Sequence, residues 1–153
     1  AIPNNLSAFP AITETGAKAM IKEIERARAD GDSIGGVLET AVIGMPAGVG
    51  EPFFDSCESM LAHALFSVPA VKGVEFGKGF EITALRGSVA NDTMSVKDGK
   101  VVSDTNNSGG INGGITNGMP VTFNCVIRPT PTIAKEQETA GKIRGKAWLC
   151  RKT

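Results

Sequence analysis

Residues 106–132 read Asn-Asn-Ser-Gly-Gly-Ile-Asn-Gly-Gly-Ile-Thr-Asn-Gly-Met-Pro-Val-Thr-Phe-Asn-Cys-Val-Ile-Arg-Pro-Thr-Pro-Thr, and the fold turns on this stretch. Its second part alternates. Val121, Phe123, Cys125 and Ile127 point one way, Thr122, Asn124 and Arg128 the other, with Val126 the exception. That is the period of a strand with one buried face. Asn117-Gly118 is a tight-turn signal, so residues 109–116 are expected to be the partner strand of a hairpin. The pairs Gly109-Gly110 and Gly113-Gly114 weaken a strand unless something flat or bulky lies against the backbone. Arg128-Pro129-Thr130-Pro131-Thr132 is a stiff extended segment carrying hydroxyls and one fixed positive charge. Bare backbone, hydroxyls and an arginine suit a planar ligand that carries phosphate. Glycine-rich hairpins are more often plain turns and bulges, so the stretch alone does not establish a site.

Upstream, residues 14–30 form an amphipathic helix with Ala17, Met20, Ile21, Ile24 and Ala27 on one face. Thr13 or Thr15 caps its start and Gly31 ends it. The charged Lys22, Glu23, Glu25, Arg26 and Arg28 form a solvated face. Residues 34–44 are apolar on both faces and are expected to be a central strand. Asp32-Ser33, just ahead of it, is a turn or a functional pair, and the turn is the simpler reading. Residues 45–52 are a glycine-rich link, but Phe53 stands where a dinucleotide fingerprint needs its third glycine. Residues 53–67 are expected to be a second helix, with Pro52 in its first turn and Phe54, Cys57, Leu61, Ala64 and Leu65 on its buried face. His63, the one histidine, shares a polar row with Ser56, Ser59 and Ser67, the setting of a surface or interface residue. Residues 71–76 form a short strand and 79–86 a short helix or turn. A hairpin around Asp98-Gly99 pairs Val96 and Lys97 with Lys100 and Val101, and is placed to act as a lid or as plain surface. Residues 1–10 have little pattern. The basic tail, 134–153, has no clear period and an exposed-looking Trp148, and both ends are expected to be peripheral or poorly ordered.

The chain of 153 residues suits a single domain able to bury a core. Sixteen basic and sixteen acidic residues cancel, which removes any bulk attraction to nucleic acid or an anionic membrane. Nineteen glycines and no tyrosine fit tight turns better than a base-stacking surface. Cys57, Cys125 and Cys150 are widely spaced, with no CxxC pair and no zinc spacing. Reduced buried thiols in a cytoplasmic protein are the simplest account. No apolar run reaches membrane length and no secretory pattern opens the chain. Helix, strand, helix, strand, short helix and hairpin in that order predict an α+β fold, two helices covering one face of a mostly antiparallel sheet.

The glycine stretch and the Arg-Pro-Thr-Pro-Thr-Ile run that follows resemble the glycine hairpin of chorismate synthases. Three earlier stretches agree in order and spacing: Gly31-Asp32-Ser33-Ile34-Gly35-Gly36-Val37, Gly48-Val49-Gly50-Glu51-Pro52-Phe53-Phe54-Asp55, and the run from Pro69-Ala70-Val71-Lys72-Gly73 to Gly79-Phe80. The resemblance covers most of the chain but, as read here, only the C-terminal half of such an enzyme. It implies a layered fold in which helices lie between antiparallel sheets, with this chain as one half and one partial domain. It implies the anti-1,4 elimination of phosphate from 5-enolpyruvylshikimate 3-phosphate in the shikimate pathway of aromatic amino-acid biosynthesis. The cofactor it brings is reduced FMN, with an association with NADP, in a cytoplasmic homotetramer.

The flavin-binding positions carried over are Pro69, Ala70, Gly113, Arg128, Pro129, Thr130, Pro131 and Thr132. Arg128 stands where the family commonly has lysine, and Pro69 replaces a more polar option. No catalytic residue and no metal ligand is assigned, because the family's Arg-His-Asp stretch has no counterpart here. The chain alone is therefore expected to be inactive. The competing expectation is a non-catalytic assembly or flavin-binding module. A flavodoxin-like carrier is disfavoured by the antiparallel pattern.

Overall fold

The computed structural model describes residues 9–143 and 146–152. The trailing of residues 1–8 and the surroundings of Trp148 lie outside what is described. The elements in order are α1 (Glu14–Ala29), β1 (Gly36–Val42), α2 (Cys57–Phe66), β2 (Val71–Phe76), a 3-10 helix (Gly79–Ala84), α3 (Gly87–Ala90), β3 (Met94–Lys97), β4 (Lys100–Ser103), β5 (Ile111–Asn112), β6 (Ile115–Thr116), β7 (Val121–Ile127), β8 (Gln137–Ile143) and β9 (Lys146–Lys152). They gather into two compact units, Gly35–Arg128 and the two flanks, Ala1–Ile34 with Pro129–Thr153.

In the larger unit, β7 is the centre of a three-stranded antiparallel sheet of order β1-β7-β2. The alternation read from the sequence is real: Val121, Phe123 and Cys125 are buried and, with Ile111, form the core. Cys57, Leu61 and Leu65 of α2 pack on that core, as do Val42, Val74 and Phe76 from the flanking strands. The Phe76 and Phe123 rings meet at 6.0 Å, tilted 50°.

Three expectations are corrected. Among the described residues β1, read as central, stands at the edge of its sheet, and Val37 and Leu38 are 64% and 52% exposed. Its apolar composition on both faces gave the wrong position, because periodicity reports what a strand could bury and not which neighbours it has. The expected helix of 53–67 begins only at Cys57. Phe53 adopts φ 73°, and the Ser56 hydroxyl accepts from the Ser59 amide at 3.1 Å to cap the helix. Phe54, ahead of the helix, and Ala64, within it, are exposed rather than buried. The third is the glycine hairpin. Residues 109–116 form no ladder with β7, although Thr122 N donates to Gly109 O at 3.2 Å. They fold back on themselves, β5 against β6, with Gly113 (φ 58°) and Gly114 (φ 85°) as the turn. Two successive positive φ angles make the primed turn that suits the twist of paired strands. β7 takes β1 and β2 as its ladder partners instead, while Ile111 of β5 and Cys57, Leu61 and Leu65 of α2 cover its apolar face.

The Asp98-Gly99 hairpin forms as read, with Val96 opposite Val101 and Lys97 opposite Lys100. In the smaller unit, the Thr13 hydroxyl caps α1 by accepting from the Gly16 amide at 3.0 Å, and Gly31 follows the helix at φ 68°. The apolar face of α1 is not buried; no residue of the helix is. Gln137–Ile143 and Lys146–Lys152, where the sequence shows no period, pair antiparallel as β8 and β9.

Candidate functional site

The glycine-rich segment is held by three sets of bonds. Backbone comes first. The Gly77 amide donates to Thr122 O at 2.9 Å, Lys78 N to Asn107 O at 2.8 Å, and Thr122 N to Gly109 O at 3.2 Å. Gly77 and Gly109 are packed backbone to backbone, and a Cβ on either would overlap the other strand. Glycine is required there by space, not only by φ. Next comes Asp92, from the polar run after α3. Its carboxylate accepts from Asn107 N at 2.7 Å, Ser108 N at 2.9 Å, Thr105 Oγ1 at 2.7 Å and the Ser108 hydroxyl. Burial pushes the Asp92 carboxyl up, but those four donors outweigh it and hold it at about 2. Finally, Thr116, 2% exposed, donates to Pro46 O at 2.7 Å and accepts from Val49 N at 2.9 Å, tying the 45–52 link to β6.

The turn itself sits at the start of α2. Cys57 N donates to Gly114 O at 2.9 Å, and a Cβ on Gly114 would lie 2.7 Å from Ser56 Cβ. Gly113 is exposed, with nothing within 4 Å of where a Cβ would stand. Its backbone is the open point of an otherwise close-packed loop.

Pro69 and Ala70 lie beyond the other end of α2. Ala70 is one of three non-glycine residues with positive φ among the described residues, 74°, and its carbonyl accepts from Arg128 N at 2.9 Å. The structure therefore brings Pro69, Ala70 and Arg128 together, all exposed. It does not bring Gly113 to them. The ten residues of α2 stand between, about 15 Å at 1.5 Å per residue. Pro129, Thr130, Pro131 and Thr132 belong to the smaller unit and are exposed. There Ser33 donates its hydroxyl to Thr130 O at 2.7 Å, and Asp32 meets Lys135 at 2.7 Å. That lysine's bond, then the Ser33 amide, holds the Asp32 carboxyl below its usual range. Ser33 thus holds the proline-threonine segment 97 residues on, and Asp32 holds Lys135, just beyond that segment and 103 residues on.

Asp92 was not singled out by sequence. It lies 15 and 16 residues from the amides it holds, and no local rule joins them. His63 is exposed near the end of α2. Cys57 is raised by burial and then by Glu58, which keeps its thiol protonated. Among the described residues, no group of three or more His, Cys, Asp or Glu is placed to hold a metal, and no helix is long and apolar enough to cross a membrane.

Fold and site together define a mixed α+β protein, with a helix on an antiparallel sheet and a backbone-dense glycine loop at its margin. Comparison with known proteins takes this further. The family model described as chorismate synthase matches residues 2–150. The chorismate synthase of Thermococcus kodakarensis is 50% identical over 142 residues, covering 87% of this chain and 40% of that protein. That of Korarchaeum cryptofilum is 52% identical over 120 residues, 78% of this chain and 33% of that protein. That of Dehalococcoides mccartyi is 47% identical over 145 residues, 89% and 40%. A crystal structure of chorismate synthase superposes with a TM-score of 0.73 at 33% identity, over 78% of this chain and 37% of that one. The chain belongs to the chorismate synthase family and has its fold. It spans well under half the length of the relatives it matches.

Proposed function

We propose that this chain forms part of the flavin site of a carbon–oxygen lyase that turns 5-enolpyruvylshikimate 3-phosphate into chorismate and phosphate with reduced FMN. The observation that carries the reading is the glycine loop: fixed on every side by hydrogen bonds, it leaves one bare residue, Gly113, open. The residues present fit the cofactor in kind. Gly113 offers close approach to a ring or phosphate. Arg128 offers a guanidinium cation, and its own amide is anchored on the Ala70 carbonyl. Pro129 and Pro131 stiffen the segment in which Thr130 and Thr132 present hydroxyls, and Pro69 adds a carbonyl. A reduced flavin held by these residues would bring an electron donor to the substrate. The chain's own contribution is to bind and orient it and to set a cation near developing negative charge. Gly113 and Arg128, at opposite ends of α2, would hold different parts of the ligand.

In this reading the 153 residues bind flavin without turnover. The lone histidine is exposed in a serine row, and the chain spans 33–40% of its relatives. Titration with FMN, followed by flavin fluorescence, tests the reading. Saturable binding is expected, weakened by Arg128→Ala and by Gly113→Val, while isolated chain, substrate and reduced FMN give no chorismate. Binding unchanged in both variants rejects the site, and turnover by the chain alone rejects the division of labour.

A further inference from the structure

One of the four donors to the Asp92 carboxylate, the Ser108 hydroxyl, begins a row of side chains that reaches the Gly113 turn. Asn112, the residue before Gly113, donates its Nδ2 to Ser108 Oγ at 3.2 Å. Asn117 donates its Nδ2 to Asn112 Oδ1 at 2.6 Å, and Met119 N donates to Asn117 Oδ1 at 2.9 Å. The row lies wholly within the larger unit.

The direction of each bond follows from the two ends. A carboxylate only accepts, and a backbone N–H only donates. The Ser108 hydroxyl has one proton, and Asp92 takes it. Lone pairs then face Asn112, which must turn its nitrogen to Ser108 and its oxygen to Asn117. Asn117 must turn its nitrogen to Asn112, which leaves its oxygen for Met119 N. The carboxylate at one end and the amide at the other thus select the same orientation of both asparagines. Hydrogen bonds aligned head to tail strengthen one another.

We propose that Asp92 is a positioning residue of the flavin site: through Ser108, Asn112 and Asn117 it fixes the Gly113 turn in the conformation that receives the ligand, whose identity rests on the flavin reading above. A turn of two glycines has wide conformational freedom. Its Gly114 side is held by Cys57 N, which donates to Gly114 O at 2.9 Å. Its other side is held by Asn112, and a turn ordered before binding costs the ligand less affinity.

Two measurements on the whole chain test this. The first is NMR of the asparagine side-chain amides without ligand. Ser108→Ala removes the hydroxyl but leaves Thr105 Oγ1, Asn107 N and Ser108 N on the carboxylate. It should move the signals of both Asn112 and Asn117, although Asn117 is joined to Ser108 only through Asn112 in this row. Asp92→Asn should move the same two. Asn124, whose Nδ2 is held by Glu75 at 3.0 Å, should stay in place in both variants and serves as the control. The second is FMN titration. Ser108→Ala should weaken binding about threefold to tenfold, the range of one net hydrogen bond. Asn112→Ala added to it should cost nothing further, whereas Arg128→Ala should add its full loss. An Asn117 signal unmoved by either variant, or full additivity of Ser108→Ala with Asn112→Ala, would overturn the proposal. Coupled asparagine signals in a wild type that binds no FMN would instead reject the flavin reading and leave Asp92 as the residue that orders the turn.

Discussion

Replacing Asp92 by asparagine keeps the side chain's shape and removes its charge. The carboxylate is held at about 2 against an ordinary 3.8, roughly two units. At 1.36 kcal/mol per unit, that is about 2 kcal/mol of preference for the ionised, folded form. A group held below its unfolded value stabilises when ionised. The contribution is complete above pH about 4, is lost as the pH falls toward about 2, and is absent below. Urea unfolding at neutral pH should therefore place Asp92→Asn about 2 kcal/mol below wild type, and the gap should close as the pH approaches about 2. Asp32, Glu75 and Asp104 are also held low, but they are common to both proteins and cancel in the difference. The loss should be local: the amides of Asn107 and Ser108, which donate to this carboxylate, should exchange faster in the variant at neutral pH. A gap of the same size at both ends of that pH range would refute the reasoning. It would mean that the four bonds contribute through shape alone.

Other outcomes follow from the same geometry. Gly109→Ala should cost more than about 2 kcal/mol, since a Cβ overlaps the Gly77 backbone, whereas Gly113→Ala should cost only the roughly 1 kcal/mol of a left-handed alanine; thermal unfolding distinguishes them. Phe123→Ala, at 7% exposure in the core, should lose about 3–5 kcal/mol, and Phe54→Ala, 93% exposed, no more than about 0.5 kcal/mol. Thr13→Ala removes the cap of α1 and should lower its helicity at a cost of about 1 kcal/mol, read by circular dichroism. Arg128→Lys should retain part of any FMN affinity that Arg128→Ala loses, because the charge remains while the fork is gone.

Where a feature depends on residues close in sequence, it was legible. The alternation of 121–127 gave a strand with its buried face, Thr13 gave a helix start, and Asp98-Gly99 gave a turn with its register. Each is decided by φ preference, by a side-chain oxygen within reach of the next turn, or by a period of two. The glycine runs marked a place where backbone must approach something closely. The something proved to be Gly77 at one point and Ser56 with Cys57 at another, neither of which spacing could name.

Only the tertiary structure decided who neighbours whom. Asn117-Gly118 has the chemistry of a hairpin turn, yet β7 pairs with β1 and β2, which are long enough to satisfy its backbone, and Ile111 of the short β5 lies in the core with Phe123 and Cys125 instead. Ala70 meets Arg128 through its carbonyl, while Gly113 lies by the other end of α2. Asp92 finds its donors across a loop, and Ser33 finds Thr130 across 97 residues. Local sequence sets each segment's conformation through sterics and short-range bonds. Long-range pairing is set by which combination of segments buries the most apolar surface while leaving the fewest backbone groups unpaired, and that sum is taken over the whole chain at once.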